Sequence, residues 1–201
     1  MPDSIFDAAF KPSDCFLGVA LPLSKEDLEV HWDNTEADFI QHMKSSRSYT
    51  SPKDLWEVYQ KPANSLIKMM EEVSRLGVNV IKRLQSDDLA QVSSRAITIF
   101  AHYSTGHNKA ELSDGLISPD QLANCLPKDY TGVVDLTLCN SINLAEPIKR
   151  RFKSNALVIS NKHPATLSIR IILYKYLIQY LHSHDISYVV AVPKIRKMIL
   201  S

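Results

Sequence analysis

The stretch "ITIFAHYSTGH" (residues 97–107) places four apolar or β-branched residues ahead of Ala101, His102 and Tyr103, and a polar loop follows. Such a run has the composition of a strand buried on both faces. A buried strand that closes on an imidazole poses two questions. What kind of sheet surrounds it, and which group does the imidazole face?

The flanking sequence answers the first question. Upstream, "CFLGVALP" (15–22) reads as a first strand and "VNVIKRL" (78–84) as a second. Downstream, "GVVDLTLC" (132–139) reads as a fourth, "NALVIS" (155–160) as a fifth and "SYVVAVP" (187–193) as a sixth. Helical signals fill the gaps. Ser24 with Asp27 three residues on opens an amphipathic stretch to about Met43. Ser51 with Pro52 opens a second, carrying a Leu66, Met69, Met70, Val73 core stripe. Pro62 should divide or kink it, and Gly77 suits its C-terminal cap. Short helices are predicted after Ser86, after Ser118 and through "LAEPIKRRF", and a long one over 165–183. Apolar strands alternating with crossover helices define an α/β chain with a mostly parallel sheet between two helix layers. No internal repeat or linker interrupts residues 1–201, so the expectation is a single domain.

Composition narrows the function classes. The chain has 201 residues, 45% hydrophobic and 22% charged, with a net charge of +1. That balance gives no footing for nucleic acid. Five glycines and no G-x-G-x-x-G or Walker pattern argue against a phosphate-cradling loop. The start, "MPDSIFDAAFKPSD", lacks the basic and apolar regions of a leader. Arg170 and Lys175 interrupt the most apolar helix, so no membrane span is expected. Three cysteines without close spacing predict reduced thiols in a cytoplasmic protein.

In parallel sheets, reactive groups gather beyond the carboxyl ends of the strands. His102 closes the predicted third strand and Cys139 the fourth. Neighbouring strands lie roughly 4.8 Å apart, so the two side chains would project from one edge of the sheet. The pairing makes chemical sense. A thiol with an ordinary pKa of about 8.5 is mostly protonated at neutral pH, and the thiolate is the nucleophile. An imidazole can take that proton and later return it to a leaving amine. The backbone amides of Cys139 and of Tyr103 are candidates for an oxyanion hole.

These residues also carry a resemblance. "AITIFAHYSTGH", "ELSDGLISPDQL" and "GVVDLTLCNS" are similar to the CHAT and caspase-like cysteine peptidases, the clan that includes clostripain, separase and the metacaspases. There a strand ends in His, a variable stretch and a helix intervene, and the next strand ends in the nucleophilic Cys. The resemblance implies a caspase-like three-layer α-β-α sandwich with about six strands. It implies a cysteine endopeptidase with Cys139 as nucleophile and His102 as general base and acid. The substrate would be a protein or peptide, with no cofactor, and target choice would depend on a regulatory protein partner, on the N-terminal region or on self-association. The alternative within the resemblance is a catalytically inactive interaction module.

The chain departs from the family in two places. Tyr103 stands where the family has Gly, which puts a bulky side chain into the loop. Members that cleave after basic residues carry Asp two positions before the Cys; here that residue is Thr137, and the nearest acid is Asp135. Asp135, Thr137 and Cys139 share one strand face by parity. Asp135 is either a substrate-pocket acid or, the favoured reading, a structural strand acid. Asn161, after the fifth strand, lies at the same sheet edge and either shapes the pocket or belongs to a plain loop.

Other features have simpler readings. His107 is a reserve base, and Asp114-Gly115 a turn. "HSHD" (182–185) is a solvated helix end rather than a metal site, and "IKRRFK" (148–153) a solvated basic run.

Overall fold

The computed structural model describes residues 6–47, 49–136, 141–161 and 166–200. The chain runs β1 (Cys15–Val19), α1 (Lys25–His31), α2 (Asp38–Arg47), α3 (Pro52–Arg75), β2 (Asn79–Lys82), α4 (Ser86–Ala90) and β3 (Ala96–Phe100). Three short strands follow, β4 (His102–Ser104), β5 (Lys109–Leu112) and β6 (Gly115–Ile117). Then come α5 (Pro119–Cys125), β7 (Gly132–Leu136), α6 (Ile142–Phe152), β8 (Ala156–Ile159), α7 (Leu167–Ser183) and α8 (Tyr188–Leu200).

The main sheet has five parallel strands in the order β2-β1-β3-β7-β8. The α/β reading therefore holds, with a parallel sheet at the centre. Alternation sorts its side chains into two cores. Ile97, Ile99, Val134 and Leu136 face Leu89 of α4, Leu122 of α5 and Leu144 of α6. Leu17, Val19, Phe100 and Val133 face the α3 stripe, Ile178 of α7 and Tyr188 of α8. A third cluster joins α1 and α2 to the first half of α3 through Leu28, Ile40, Leu55 and Tyr59.

Four expectations are corrected. The sixth strand is absent: residues 187–193 begin α8. Their β-branched composition favours a strand. However, Tyr188, Ala191, Val192 and Ile195 are the buried positions, and that spacing is helical. The Ser187 carbonyl accepts from the amides of both Val190 and Ala191, starting the turn.

The predicted third strand is two strands. Its parallel ladder stops at Phe100, whose carbonyl takes the Ala20 amide. From His102 the chain pairs instead with β5, in a small antiparallel sheet of order β4-β5-β6.

The helix after Ser24 is also two. Ser24 accepts from the Asp27 amide as the motif requires, but Asn34 turns the chain by accepting the Glu36 amide on its side chain.

Finally, of division and kinking at Pro62, division does not occur: α3 is one helix through that residue. Val58, four residues earlier, lies on an exposed face, where water can reach the carbonyl that Pro62 leaves without a donor.

Ser118 caps α5 by accepting the Gln121 amide, and Ser113-Asp114 makes the β5–β6 turn, with Gly115 opening β6. Among the described residues, no helix is long and apolar enough to cross a membrane.

Candidate functional site

The strand order creates a crevice. From β1 the chain crosses over through α3 on one face to β2; from β2 it returns through α4 on the other face to β3. The carboxyl ends of β1 and β3 are thus the point where the winding reverses, the usual ligand position in open parallel sheets. The β4–β5–β6 sheet follows directly from the end of β3, and His102 is its first residue.

His102 has a partner. Its Nε2 lies 2.8 Å from Oδ2 of Asp38, the first residue of α2. His107 Nε2 is 3.7 Å from the other oxygen of the same carboxylate. The Phe39 ring meets the imidazole edge-on at 5.6 Å, and the His42 ring lies 5.8 Å away. Glu111 is opposite His102 in the antiparallel register, and its Oε2 accepts the Phe39 amide at 2.7 Å.

Burial lowers the His102 pKa below its ordinary value. The hydrogen bond and charge of Asp38 oppose that shift, while His42 and Arg170 add to it. The ring is therefore neutral at pH 7. A carboxylate only accepts hydrogen bonds, so the neutral ring carries its hydrogen on Nε2 toward Asp38. Nδ1 is left unprotonated, which is the state a general base needs. Glu111 is pushed the other way, up to about 7, chiefly by burial; the Phe39 amide opposes the shift and the Asp38 charge adds to it.

A cleft of about 440 Å³ opens beside these groups. Its walls include Leu21 and Pro22 after β1, Asp27 and His31 from α1, and Phe39, His102 and Glu111. Arg83, bonded to Asp27 at 2.5 Å, closes one side. Among the described residues, no group of three or more His, Cys, Asp or Glu is placed to hold a metal ion.

The other predicted site residues divide three ways. Cys139 and Thr137 lie outside the described residues, as does the Cys139 amide assigned to the oxyanion hole. Asp135 is not among the residues lining the cleft beside His102. It is buried and accepts a hydrogen bond of 2.9 Å from Tyr188 of α8, whose hydroxyl also meets Thr98, the register partner of Asp135. Asn161 stands at the carboxyl end of β8. Its amide donates to Ser141, whose hydroxyl donates to the Leu136 carbonyl, and its side chain accepts from Arg196. Asn161 is thus tied to the residue that opens α6, and it too is absent from the cleft wall.

Tyr103 corrects the expectation of a bulky group in the loop. Its side chain is 4% exposed and belongs to the core beneath α5 and α6. Its hydroxyl donates to Asn108 and accepts from Asn143. In the ladder Tyr103 is opposite Ala110.

Sequence reasoning missed Asp38, His42 and Glu111. One signal was available: Asp38 and His42 are four residues apart, which puts both on one helix face. Nothing local marked Glu111, whose importance comes from its register opposite His102.

The basic run has a structural use, because Arg150 pairs with Asp120 and Arg151 binds the Ala123 carbonyl, joining α6 to α5. His184 stacks on Tyr180 at 4.0 Å. Cys15 is buried and its thiol is pushed up to about 12, mainly by burial; Cys125 is also raised, mainly by burial. Neither is an activated thiol.

No protein-family model, curated protein or solved structure matches this chain.

Proposed function

We propose that the chain is a cysteine endopeptidase of the caspase-like type, working through Cys139 and a His102 that Asp38 holds in place. The observation that carries this reading is the Asp38–His102 hydrogen bond at the carboxyl edge of a parallel sheet. It pairs an orienting carboxylate with a neutral imidazole whose Nδ1 is unprotonated. In sequence, Cys139 follows three residues after the end of β7, the strand beside β3. The pairing of β3 with β7, and the turn and helix between His102 and Cys139, support this reading.

In this reading Nδ1 of His102 accepts the thiol proton while the Cys139 sulfur attacks the peptide carbonyl. The C–N bond then breaks, and the imidazolium gives its proton to the departing amine. Water, deprotonated by the same nitrogen, cleaves the thioester and restores the thiol. The Asp38 carboxylate stabilises the transient imidazolium without taking its proton. A reducing compartment such as the cytoplasm suits such a thiol.

Tyr103 in the place of the family's Gly favours the second reading, a non-catalytic interaction module with the same fold. Iodoacetamide at pH 6, followed by peptide mapping, separates the two. A peptidase labels at Cys139 at least about tenfold faster than at Cys15 or Cys125, and His102→Ala abolishes the difference. Labelling of Cys139 at the rate of an ordinary thiol decides for the interaction module.

A further inference from the structure

We infer that Glu111 is a positioning residue for His102, acting through α2 to hold the Asp38 carboxylate against the imidazole. This rests on the peptidase reading for its purpose, although not for its geometry.

The argument begins with register. In an antiparallel pair, directly opposed residues place their side chains on the same face, and His102 is opposite Glu111. From that face each reaches one of two consecutive residues on α2. His102 meets the Asp38 side chain at 2.8 Å, and Glu111 Oε2 takes the Phe39 amide at 2.7 Å. The hairpin therefore grips the helix start at two adjacent points. With the second contact, the start of α2 is fixed to the hairpin at two adjacent residues and not at one.

The rest of α2 is held from the α1 and α3 side, where Phe39 and Met43 pack against the third cluster and Gln41 and Lys44 donate to the Trp32 carbonyl, while Glu111 and His102 hold its start from the hairpin side. Ile40 is its only buried residue among those described. The amides of a helix's first turn have no intrahelical acceptor, and Glu111 supplies one from another element. Apart from its backbone ladder, Glu111 makes no other hydrogen bond among those found at the described residues, so holding α2 is the role the geometry gives it. The charged and titratable groups around this contact are Asp38 and His42 of α2, His102 of β4, His107 in the loop after it and Arg170 of α7. Asp27 of α1, Arg83 and Asp114 share the cleft wall with Glu111.

The test is the NMR titration of the His102 ring nitrogens, paired with Cys139 alkylation, in Glu111→Ala, Glu111→Gln and Glu111→Asp. The Gln side chain keeps an acceptor at the same reach, while Asp withdraws it. In Glu111→Ala and Glu111→Asp, the His102 midpoint should move toward that of Asp38→Asn, and Cys139 alkylation should slow by about tenfold or more. Glu111→Gln should keep the Nε2-protonated tautomer and alkylate within about threefold of the parent. If Glu111→Ala does not fold, the Asp and Gln pair makes the same comparison. An unchanged His102 titration in a folded Ala or Asp variant overturns the inference. An inert Cys139 in the parent, with the His102 titration still dependent on Glu111, overturns the peptidase reading and leaves this inference standing.

Discussion

His102 and Asp38 form a contact between the first residue of a strand and the first residue of a helix, 2.8 Å apart, from segments far separated in sequence. Neither element is long. β4 has three residues and α2 has ten. The contact orients a ring that burial keeps neutral, and it accounts for the polar end of an otherwise apolar stretch.

Asp38→Asn tests that relationship. The Asp38 hydrogen bond and charge both raise the His102 pKa against burial. Removing the charge should therefore lower the His102 midpoint further, as read by imidazole NMR. The alkylation rate of Cys139 at pH 6 should fall, by at most the roughly 10²–10⁴ that a general base contributes. An unaltered midpoint would mean that Asp38 does not govern the ring.

Asp135 calls for a different test, because the structure places it in the core. Tyr188→Phe removes the hydroxyl that donates to its buried carboxylate. The expected cost is about 1–3 kcal/mol in chemical denaturation, with Cys139 alkylation unchanged. A large loss of alkylation in a variant of normal stability would return Asp135 to the substrate pocket.

Much of this fold was legible in the sequence, and the reasons are local. The apolar runs at 15–19, 96–100, 132–136 and 156–159 are strands because they are covered on both sides. Ser24, Ser51 and Ser118 cap helices because each is followed by a first turn that needs an acceptor. What escaped was set by tertiary contacts. The 187–193 run has strand composition and helical burial, and only the core beneath α8 decides between them. The division of the third strand at Ala101 depends on β5, which a reading of residues 96–103 alone does not include. His102 was visible as an oddity, but Asp38 and Glu111 became its neighbours only through the placement of α2 and the hairpin register.

Gly132 opens β7 at a point of close backbone approach. Its φ is +154°, and a Cβ there would lie 2.1 Å from the Arg95 carbonyl oxygen and 2.8 Å from the Tyr130 hydroxyl. That hydroxyl donates to the carbonyls of Arg95 and Val133, so neither neighbour gives way cheaply. Gly132→Ala should destabilise by about 1–3 kcal/mol or more. A thermal melt within a degree or two of the parent would contradict the geometry.

The two shifted groups beside the cleft make opposite contributions to the pH dependence of stability. The raised pKa of Glu111 means that the folded chain still holds a proton on it between about 4.5 and about 7, where the unfolded chain has released it. That contribution is lost as pH rises through the window. His102 is lowered, so the unfolded chain takes up a proton first as pH falls past the ordinary value of 6.5, and stability is lost on acidification. Glu111→Gln removes only the first effect. The stability of the parent relative to that variant should therefore increase steadily as pH falls from 7.5 to 5. A difference that is flat or of opposite sign would refute the raised carboxyl.

Tyr103, which stands where the caspase-like peptidases that the sequence resembles have Gly, should matter for stability and not for the imidazole. Its ring is packed on the α5–α6 face, while His102, one residue earlier, turns toward α2. Tyr103→Phe keeps the ring but breaks the link from Asn108 to Asn143, at a cost of about 0.5–1.5 kcal/mol per hydrogen bond. Tyr103→Gly empties a core position and should cost about 3–5 kcal/mol. In Tyr103→Phe the NMR midpoint of His102 should match that of the parent. A clear displacement of that midpoint would mean that the Asn108–Tyr103–Asn143 link supports the imidazole across the strand, and that the departure from Gly bears directly on the site.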